Sequence, residues 1–249
     1  MDLAFRIPLY VLFGIFPSLI WLFYYLKKDV HPEPKRMILE VFLYGVLATV
    51  PVFLLETQLS GLLQQLQYFE FFIRFSFITD ILKWFVVIAL TEELLKYLAV
   101  KLIVLKRQEL DEPLDIILYM IVVALGFAAL ENILYLFSPI DSLSLNNIVK
   151  TTISISFIRF IGATFLHTLC SGILGYFLAV SFLYLKKRLL LTVMGIFTAV
   201  FLHGLYNFSI ITLDDPLNLI IPMVMIVALA ALLVQAFNNV KKLKSICKI

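Results

Sequence analysis

Apolar runs of about twenty residues recur along this chain of 249 residues, and they constrain its fold more than any other feature. A helix needs roughly 20 apolar residues to cross the hydrocarbon core of a bilayer, because it rises about 1.5 Å per residue. Hydrophobic residues make up 62% of the chain and charged residues 15%, whereas about a quarter of the residues of soluble domains are charged. The sequence therefore predicts an all-α, polytopic helical membrane protein with a single transmembrane domain over residues 1–249.

About seven membrane spans are predicted, joined by polar or proline-containing loops. They run at about residues 3–26, 37–55, 81–105, 114–137, 153–185, 189–213 and 217–237. The stretch 57–77 is amphipathic, first rich in glutamine and then in phenylalanine, so it is either interfacial or an eighth, re-entrant helix. The fifth span is longer than one membrane crossing requires.

Lysine and arginine are concentrated in alternate loops. Basic clusters occur at 27–36, 101–107, 186–188 and 241–248, whereas 56–74, 138–150 and 214–216 are poor in basic residues. Since Lys and Arg mark cytoplasmic loops, this pattern predicts a multi-pass protein of the cell membrane with its N-terminus outside and its C-terminus in the cytoplasm. We expect the lipid bilayer and no nucleic acid as partners, and the oligomeric state stays open.

The third predicted span contains Thr91-Glu92-Glu93-Leu94-Leu95-Lys96. Each charged side chain costs roughly 2.5–3.5 kcal/mol at the centre of a bilayer, so a span that only crosses lipid would have apolar residues there. On a helix Lys96 reaches either carboxylate, because it follows Glu92 by four residues and Glu93 by three. The two glutamates are about 100° apart around the helix, so we expect them to point in different directions.

Further polar residues lie at a similar predicted depth on neighbouring spans. They are Glu131 and Asn132 in span four, His167 in span five, and His203 and Asn207 in span six. Charged groups inside membranes usually face the bundle interior or a water-filled cavity. The sequence therefore predicts one shared polar cavity between the midplane and the outer leaflet, with a catalytic core at about residues 81–213.

Each of these residues also has a structural interpretation when it is taken alone. His167 and His203 are typical of residues that hydrogen bond between helices, as is Asn132. Arg159 is near the outer end of its span, and we expect its side chain to extend towards the interface. The clustering at one depth, rather than any single residue, predicts a functional site.

Carboxylates, imidazoles, an amide and an ammonium suit acid–base chemistry, in which a glutamate activates water and other groups stabilise an oxyanion. The chain contains neither Gly-x-Ser-x-Gly nor His-Glu-x-x-His, and Cys170 and Cys247 lack metal-ligand spacing. We expect no cofactor and no obligatory metal, although a Glu–His set is also compatible with zinc. An ion- or proton-coupled transporter and a non-catalytic membrane scaffold are the alternatives.

The ordered motifs are similar to those of the PrsW family of membrane proteases, which is related to the CAAX-processing and bacteriocin-processing superfamily. They are Glu92-Glu93-x-x-Lys96, Phe127-x-x-x-Glu131-Asn132, His167 and His203-x-x-x-Asn207, together with the loop that contains Asp29, Pro32, Glu33 and Pro34. The resemblance covers residues 29–207. The CAAX branch has a histidine at the position of Glu131 and an arginine one position after Lys96, which argues against prenyl-protein processing.

The resemblance implies a glutamate-dependent intramembrane endopeptidase that cleaves single-span membrane proteins near the extracytoplasmic face. A member of the family cleaves an anti-sigma factor. The residues that the resemblance assigns to catalysis are Glu92, Glu93, Glu131, His167, His203 and Asn207, with Lys96 and Asn132 in support.

The resemblance also implies roles for these residues. Glu92 is the water-activating base and Glu93 its anchor, while His203 and Asn207 hold the oxyanion. His167 is a further polar contact, and Glu131 either assists water activation or orients a histidine. We expect Glu93 to take the Lys96 contact or another structural hydrogen bond, which leaves Glu92 facing the cavity with His203 nearby.

Overall fold

The computed structural model is helical, and the residues that it describes contain no strand. It describes residues 3–28, 31–66, 68–105, 107, 110, 112–137 and 145–242. The helices are α1 (Leu3–Leu26), α2 (Lys35–Leu66), α3 (Glu70–Arg74), α4 (Ser76–Ile81), α5 (Thr91–Ile103), α6 (Pro113–Leu136), α7 (Leu145–Ile161), α8 (Ala163–Leu183), α9 (Arg188–Thr212) and α10 (Leu217–Val240), with a π-helix at Leu82–Leu90 and a 3₁₀ turn at Leu185–Lys187. The predicted all-α class is confirmed.

Six stretches of the described chain are long and apolar enough to cross a membrane. They are Arg6–Leu26, Lys35–Leu66, Pro113–Leu136, Asn147–Leu183, Leu185–Thr212 and Leu217–Val240. The remaining predicted span, at 81–105, belongs to a helical stretch from Ser76 to Ile103 that carries more charged residues than the six. The chain is therefore a multi-pass membrane protein.

Two helix boundaries differ from the sequence prediction. α2 continues to Leu66 instead of ending near residue 55, because the Leu- and Gln-rich sequence after the apolar run still favours a helix. The predicted fifth span consists of two helices, α7 and α8, which are separated at Gly162. The φ of −87° and ψ of −97° at this glycine depart from helical geometry. The stretch 57–77 therefore contains the end of α2, the short α3 and the start of α4.

The central helix of the bundle is α6. Every residue from Pro113 to Ala129 is buried, and the helix packs chiefly against α8, α2 and α1. A helix that is apolar on all sides is buried by neighbours on all sides. Glu131 follows this buried stretch directly, so the surrounding helices fix its position.

Two glycines allow α2 and α6 to approach each other closely. A Cβ atom on Gly45 would lie 2.1 Å from the carbonyl oxygen of Val123, and one on Gly126 would lie 2.0 Å from that of Phe42. Rotation of a side chain cannot relieve a clash with a backbone oxygen, so this crossing requires a residue without a side chain. The crossing holds α2 beside the part of α6 that leads to Glu131.

The loop between α1 and α2 is attached to the start of α6. Glu33 is buried, and the Tyr119 hydroxyl donates a hydrogen bond to its carboxylate at 2.5 Å. His31 Nδ1 lies 2.8 Å from the carboxylate of Glu112. This loop therefore packs against α6 at the opposite end from Glu131. Asp29 and Cys247 lie outside the described residues.

Candidate active site

Side chains from four helices meet in one polar cluster inside the apolar bundle. α5 contributes Glu92, Glu93 and Lys96, whereas α6, α8 and α9 contribute Glu131, His167 and His203. At most 5% of each of these side chains is exposed, except for Glu131, which is 20% exposed. The structure thus brings together six of the residues that the sequence analysis singled out.

A π-helix from Leu82 to Leu90 comes directly before the two glutamates of α5. At its end, the Thr91 hydroxyl donates to the carbonyl oxygens of Val87 at 2.6 Å and Ile88 at 2.9 Å. π-Helical turns are rare and frequently occur at functional sites. Because such turns are wider than α-helical turns, this stretch changes the direction in which the glutamates point.

Lys96 lies at the centre of the cluster. Its Nζ is 3.0 Å from Glu92 Oε2, 2.9 Å from Glu93 Oε1 and 2.9 Å from His167 Nδ1. It also lies 4.3 Å from the centre of the Phe127 ring. The expected contact of this lysine with Glu93 is confirmed, whereas the expectation that it leaves Glu92 free is wrong. An ammonium has three N–H donors, so one lysine can bridge both carboxylates.

Glu93 is the more firmly held of the two consecutive glutamates. Its Oε1 accepts a hydrogen bond from Lys96 and lies 3.0 Å from His203 Nδ1, while its Oε2 accepts from the Ser171 hydroxyl at 3.1 Å. His203 also lies near Glu92, as expected, since ligand atoms of the two side chains are within 4.8 Å of each other, but its hydrogen bond goes to Glu93. Glu93 links α5 to both α8 and α9.

Glu92 is held on one side. Its Oε2 accepts the Lys96 hydrogen bond, and His167 Nδ1 lies 3.7 Å from the same oxygen. No described residue hydrogen bonds to its Oε1. A carboxylate with a free oxygen can accept a proton from a water molecule, whereas a carboxylate with both oxygens bonded serves better as an anchor.

His167 connects the lysine to the carboxylate of α6. Its Nε2 lies 2.8 Å from Glu131 Oε2, and its Nδ1 faces the ammonium of Lys96. Since an ammonium is only a donor, we assign Nδ1 as the acceptor and Nε2–H as the donor to Glu131. The carboxylate of Glu131 thus orients this histidine.

Arg159 reinforces the same carboxylate. Its Nη2 forms an ion pair with Glu131 Oε2 at 2.9 Å, and only 10% of the arginine side chain is exposed. The expectation that Arg159 extends to the membrane interface is wrong. α7 is a separate helix that packs against α1, α6 and α8, and it holds the arginine against the cluster.

The two asparagines of the sequence motifs have different surroundings. Asn132 donates to the Gly14 carbonyl at 3.2 Å and to the Thr164 hydroxyl at 3.0 Å, and it accepts from Arg159 Nε at 2.5 Å. It therefore joins α6 to α1, α7 and α8. Asn207 is half-buried, one turn after the histidine of α9, and no described residue hydrogen bonds to its amide. This amide is available to a ligand.

Glu56 of α2 is a neighbour of the cluster that the sequence analysis missed. Its carboxylate interacts electrostatically with those of Glu92 and Glu131, and its buried Oε1 has no hydrogen-bond partner among the described residues. The apolar run of the second predicted span ends at Glu56, so the sequence prediction assigned this residue to the membrane interface. The helix-forming residues that follow are the signal that α2 continues.

The donor atoms of the cluster fit a divalent metal ion. Glu92, Glu93, His167 and His203 each present one ligand atom, and these atoms lie within 4.8 Å of one another. Carboxylates and imidazoles are ligands that zinc accepts in proteins. The ammonium of Lys96 contacts three of these side chains, so a metal ion and this ammonium would compete for the same carboxylates.

Fold and site together define a polytopic membrane protein with a buried acid–base centre. The chain belongs to the PrsW family, because the family described as "PrsW family intramembrane metalloprotease" matches residues 33–234. It is therefore a membrane protease.

Several relatives named Protease PrsW support this assignment. The protein of Geobacillus kaustophilus is 32% identical over 199 residues, which cover 80% of this chain and 78% of the relative. The protein of Oceanobacillus iheyensis is 30% identical over 198 residues, which cover 78% of this chain and 80% of the relative. The protein of Bacillus subtilis is 28% identical over 214 residues, which cover 84% of this chain and 86% of the relative. No solved structure matches this chain.

Proposed function

We propose that this membrane protease is a glutamate-dependent endopeptidase that cuts membrane-anchored proteins at the polar cluster. The proposal rests on a difference in hydrogen bonding between the two consecutive carboxylates of α5. Glu93 is bonded through both oxygens to α5, α8 and α9. Glu92 retains one oxygen without a described partner, in the same buried site.

In this mechanism Glu92 is the general base. It takes a proton from a water molecule as the water oxygen bonds to the carbonyl carbon of the substrate. The carbonyl oxygen becomes an oxyanion, and the proton then passes to the leaving amine as the peptide bond breaks. A positioned acid–base group of this kind contributes roughly 10²- to 10⁴-fold to a rate.

His203 and Asn207 are the groups proposed to stabilise the oxyanion. The contact of His203 Nδ1 with Glu93 orients the ring and leaves its Nε2 available. The Asn207 amide has an N–H that is free of described partners. Removal of one oxyanion donor typically costs about 10²- to 10³-fold in kcat.

The remaining members of the cluster have positioning roles in this proposal. Glu131 accepts a hydrogen bond from His167 and is held by Arg159. Lys96 fixes the two carboxylates of α5 relative to each other. Asn132 supports the arginine. The catalytic core proposed at residues 81–213 contains all of these residues.

We propose single-span membrane proteins as the substrates, cleaved near the extracytoplasmic face. A buried site among membrane helices suits a substrate that already lies in the bilayer. The alternation of basic loops predicts that the later halves of α6 and α9, which carry Glu131 and His203, face the outside. An anti-sigma factor as substrate rests on the family resemblance alone.

The carboxylates and imidazoles of the cluster define where a metal ion would bind and what it would do. Glu92, Glu93, His167 and His203 are the residues that would hold it, and it would polarise a substrate carbonyl or a water molecule. We propose that the ion is not obligatory, because Lys96 already provides a cation to both carboxylates. Chelation is then expected to leave cleavage unchanged. Loss of activity that zinc restores and magnesium does not would contradict this.

The test of the proposed function is cleavage of a tethered single-span substrate by the purified protein. Glu92→Gln is expected to abolish cleavage. Unchanged cleavage in both Glu92→Gln and Glu93→Gln would contradict the proposal. An ion- or proton-coupled transporter would show counter-flow in liposomes without cleavage, and a scaffold would show altered assembly with alanine at His203 or Asn207 and no chemistry.

A further inference from the structure

A cavity of about 550 Å³ lies between α1, α7, α8 and α10, apart from the polar cluster. Its wall consists mainly of the aromatic and aliphatic side chains Trp21, Tyr25, Phe160, Phe165, Leu233 and Phe237. The volume is in the range of small-molecule sites, which is roughly 300–1,000 Å³. No residue of the polar cluster lines this cavity, so the proposed protease mechanism does not use it.

Stacked rings hold the wall of the cavity in place. The Trp21 ring stacks on Phe165, with centres 4.1 Å apart and planes 5° apart, and on Phe160 at 5.3 Å. The indole N–H also donates to the Phe160 carbonyl at 3.0 Å. Closer to the end of α1, Tyr25 packs against Phe237 at 6.1 Å. These contacts fix the side chains, so the cavity is preformed.

Two lysines lie at one end of the cavity. Lys28 follows α1 and Lys241 follows α10, and both line the cavity and are exposed. The Lys241 ammonium donates to the backbone carbonyl of Lys28 at 3.0 Å, while the Lys28 ammonium lies 4.8 Å from the centre of the Tyr24 ring. Neither forms an ion pair with a carboxylate of the described residues. Two cations are therefore held at the mouth of an apolar cavity.

We propose that this cavity binds one anionic phospholipid, with an acyl chain along the aromatic wall and the phosphate between Lys28 and Lys241. An apolar cavity beside the bilayer favours hydrocarbon over water. Basic groups at the ends of membrane helices attract anionic head groups. Val234, which lines the cavity on α10, is 59% exposed, so a lipid chain can enter sideways from the membrane.

The size of the cavity favours a lipid chain over a substrate helix. A helix about 10 Å wide fills roughly 400 Å³ with each turn of 5.4 Å. A volume of about 550 Å³ therefore holds little more than one helical turn, whereas a narrow acyl chain can extend through its whole length. The pairing of an apolar interior with a basic mouth matches the two parts of an anionic lipid.

Native mass spectrometry of the purified full-length protein tests this proposal. The protein is given equal amounts of phosphatidylglycerol and phosphatidylcholine with identical acyl chains. We expect one phosphatidylglycerol to be retained per chain in preference to phosphatidylcholine, and the melting temperature to rise as phosphatidylglycerol is added. Equal retention of the two lipids by the unmodified protein would overturn the proposal.

Two variants locate the binding site. Lys28→Gln with Lys241→Gln is expected to weaken phosphatidylglycerol retention roughly 10- to 30-fold, since each lysine near a membrane surface attracts an anionic lipid. Ala230→Phe places a ring in the cavity and is expected to remove the retained lipid. The matched control is Lys186→Gln with Lys187→Gln, which removes the same charge from an exposed turn elsewhere.

Three outcomes would overturn the assignment of the lipid to this cavity. They are an equal loss of phosphatidylglycerol in the control, unchanged retention in the double variant at Lys28 and Lys241, and unchanged retention in Ala230→Phe. If Ala230→Phe kept the lipid but lost binding of a single-span substrate, the cavity would belong to the substrate. None of these readouts depends on cleavage, so failure here is distinct from failure of the protease proposal.

Discussion

At the scale of single residues, the chemistry depends on how charge is shared in a space that excludes most water. Glu92, Glu93 and Glu131 are balanced by the two permanent cations of Lys96 and Arg159. This leaves more carboxylates than fixed cations. Protonation of a histidine, a proton on a carboxylate or a bound metal ion would restore the balance, and each of these fits an acid–base site.

The two consecutive glutamates are expected to respond differently to the same substitution. Glu92→Gln removes the proton acceptor but keeps an oxygen for the Lys96 hydrogen bond, so turnover should fall by about 10²- to 10⁴-fold with little change in melting temperature. Glu93→Gln breaks a fully buried ion pair, which typically costs 3–5 kcal/mol, so it should lose both activity and thermal stability.

Cleavage rate and thermal melting, measured on the same detergent-solubilised samples, separate these effects. Glu40→Gln is the control, because this glutamate pairs with Arg36 and Arg107 on the surface, away from the cluster. A stable, inactive Glu93→Gln beside an active Glu92→Gln would reverse the two roles.

Glu56→Gln is expected to leave stability unchanged or slightly raised, while it lowers the cleavage rate. The substitution removes a buried carboxyl group beside those of Glu92 and Glu131. Glutamine can keep the hydrogen bond with Thr91, and the buried Oε1 loses no described hydrogen bond. Lower activity would follow because an ionisable group beside the water-activating carboxylate is lost. Parallel melting and kinetic measurements check this, and a destabilised but fully active variant would show that Glu56 has only a structural role.

At the scale of secondary-structure elements, the site depends on how closely and at what angle the helices meet. The π-helix at Leu82–Leu90 sets the direction of the glutamates that follow. The break at Gly162 makes α7 a separate helix. The glycine crossing of α2 and α6 at Gly45 and Gly126 holds α2 close to the cluster.

Gly45→Ala and Gly61→Ala, both in α2, are expected to have opposite effects. A Cβ at residue 45 meets the Val123 backbone oxygen at 2.1 Å, so the helices must separate at a cost of about 1–3 kcal/mol. A Cβ at residue 61 meets nothing within 4 Å, so alanine should leave stability unchanged or raise it by up to about 1 kcal/mol. Thermal melting of both variants is the measurement, and equal melting temperatures would contradict the close crossing.

At the scale of the whole molecule, the bundle surrounds a buried polar centre with an apolar exterior. Its outward-facing side chains include large hydrophobic residues along α1, α2, α9 and α10, as a protein in lipid requires. The direction in which the bundle crosses the membrane is a prediction from the alternating basic loops. It determines the side from which a substrate reaches the site.

Cysteine labelling in intact cells tests this direction. Asp214→Cys, in the turn between α9 and α10, is expected to react with a membrane-impermeant maleimide from outside. Lys186→Cys, in the turn between α8 and α9, should react only after the membrane is opened. Cys247 is replaced by serine in both variants, and Cys170 is buried. The reverse labelling pattern would invert the proposed topology.

The sequence by itself determined the properties that depend on local composition. Recurrent apolar runs identified the helical membrane class, and polar residues within those runs identified the side chains of the cluster. Their order along the chain carried the family resemblance. These inferences succeed because the hydropathy of a segment and the cost of placing charge in lipid are properties of the segment alone.

The tertiary structure decided which side chains pair. His203 hydrogen bonds to Glu93, Lys96 bridges both glutamates, and Arg159 turns inward. These pairings depend on the rotation of one helix against another, which π-helical turns, glycine crossings and helix breaks set. A regular helical period in the sequence contains none of that information.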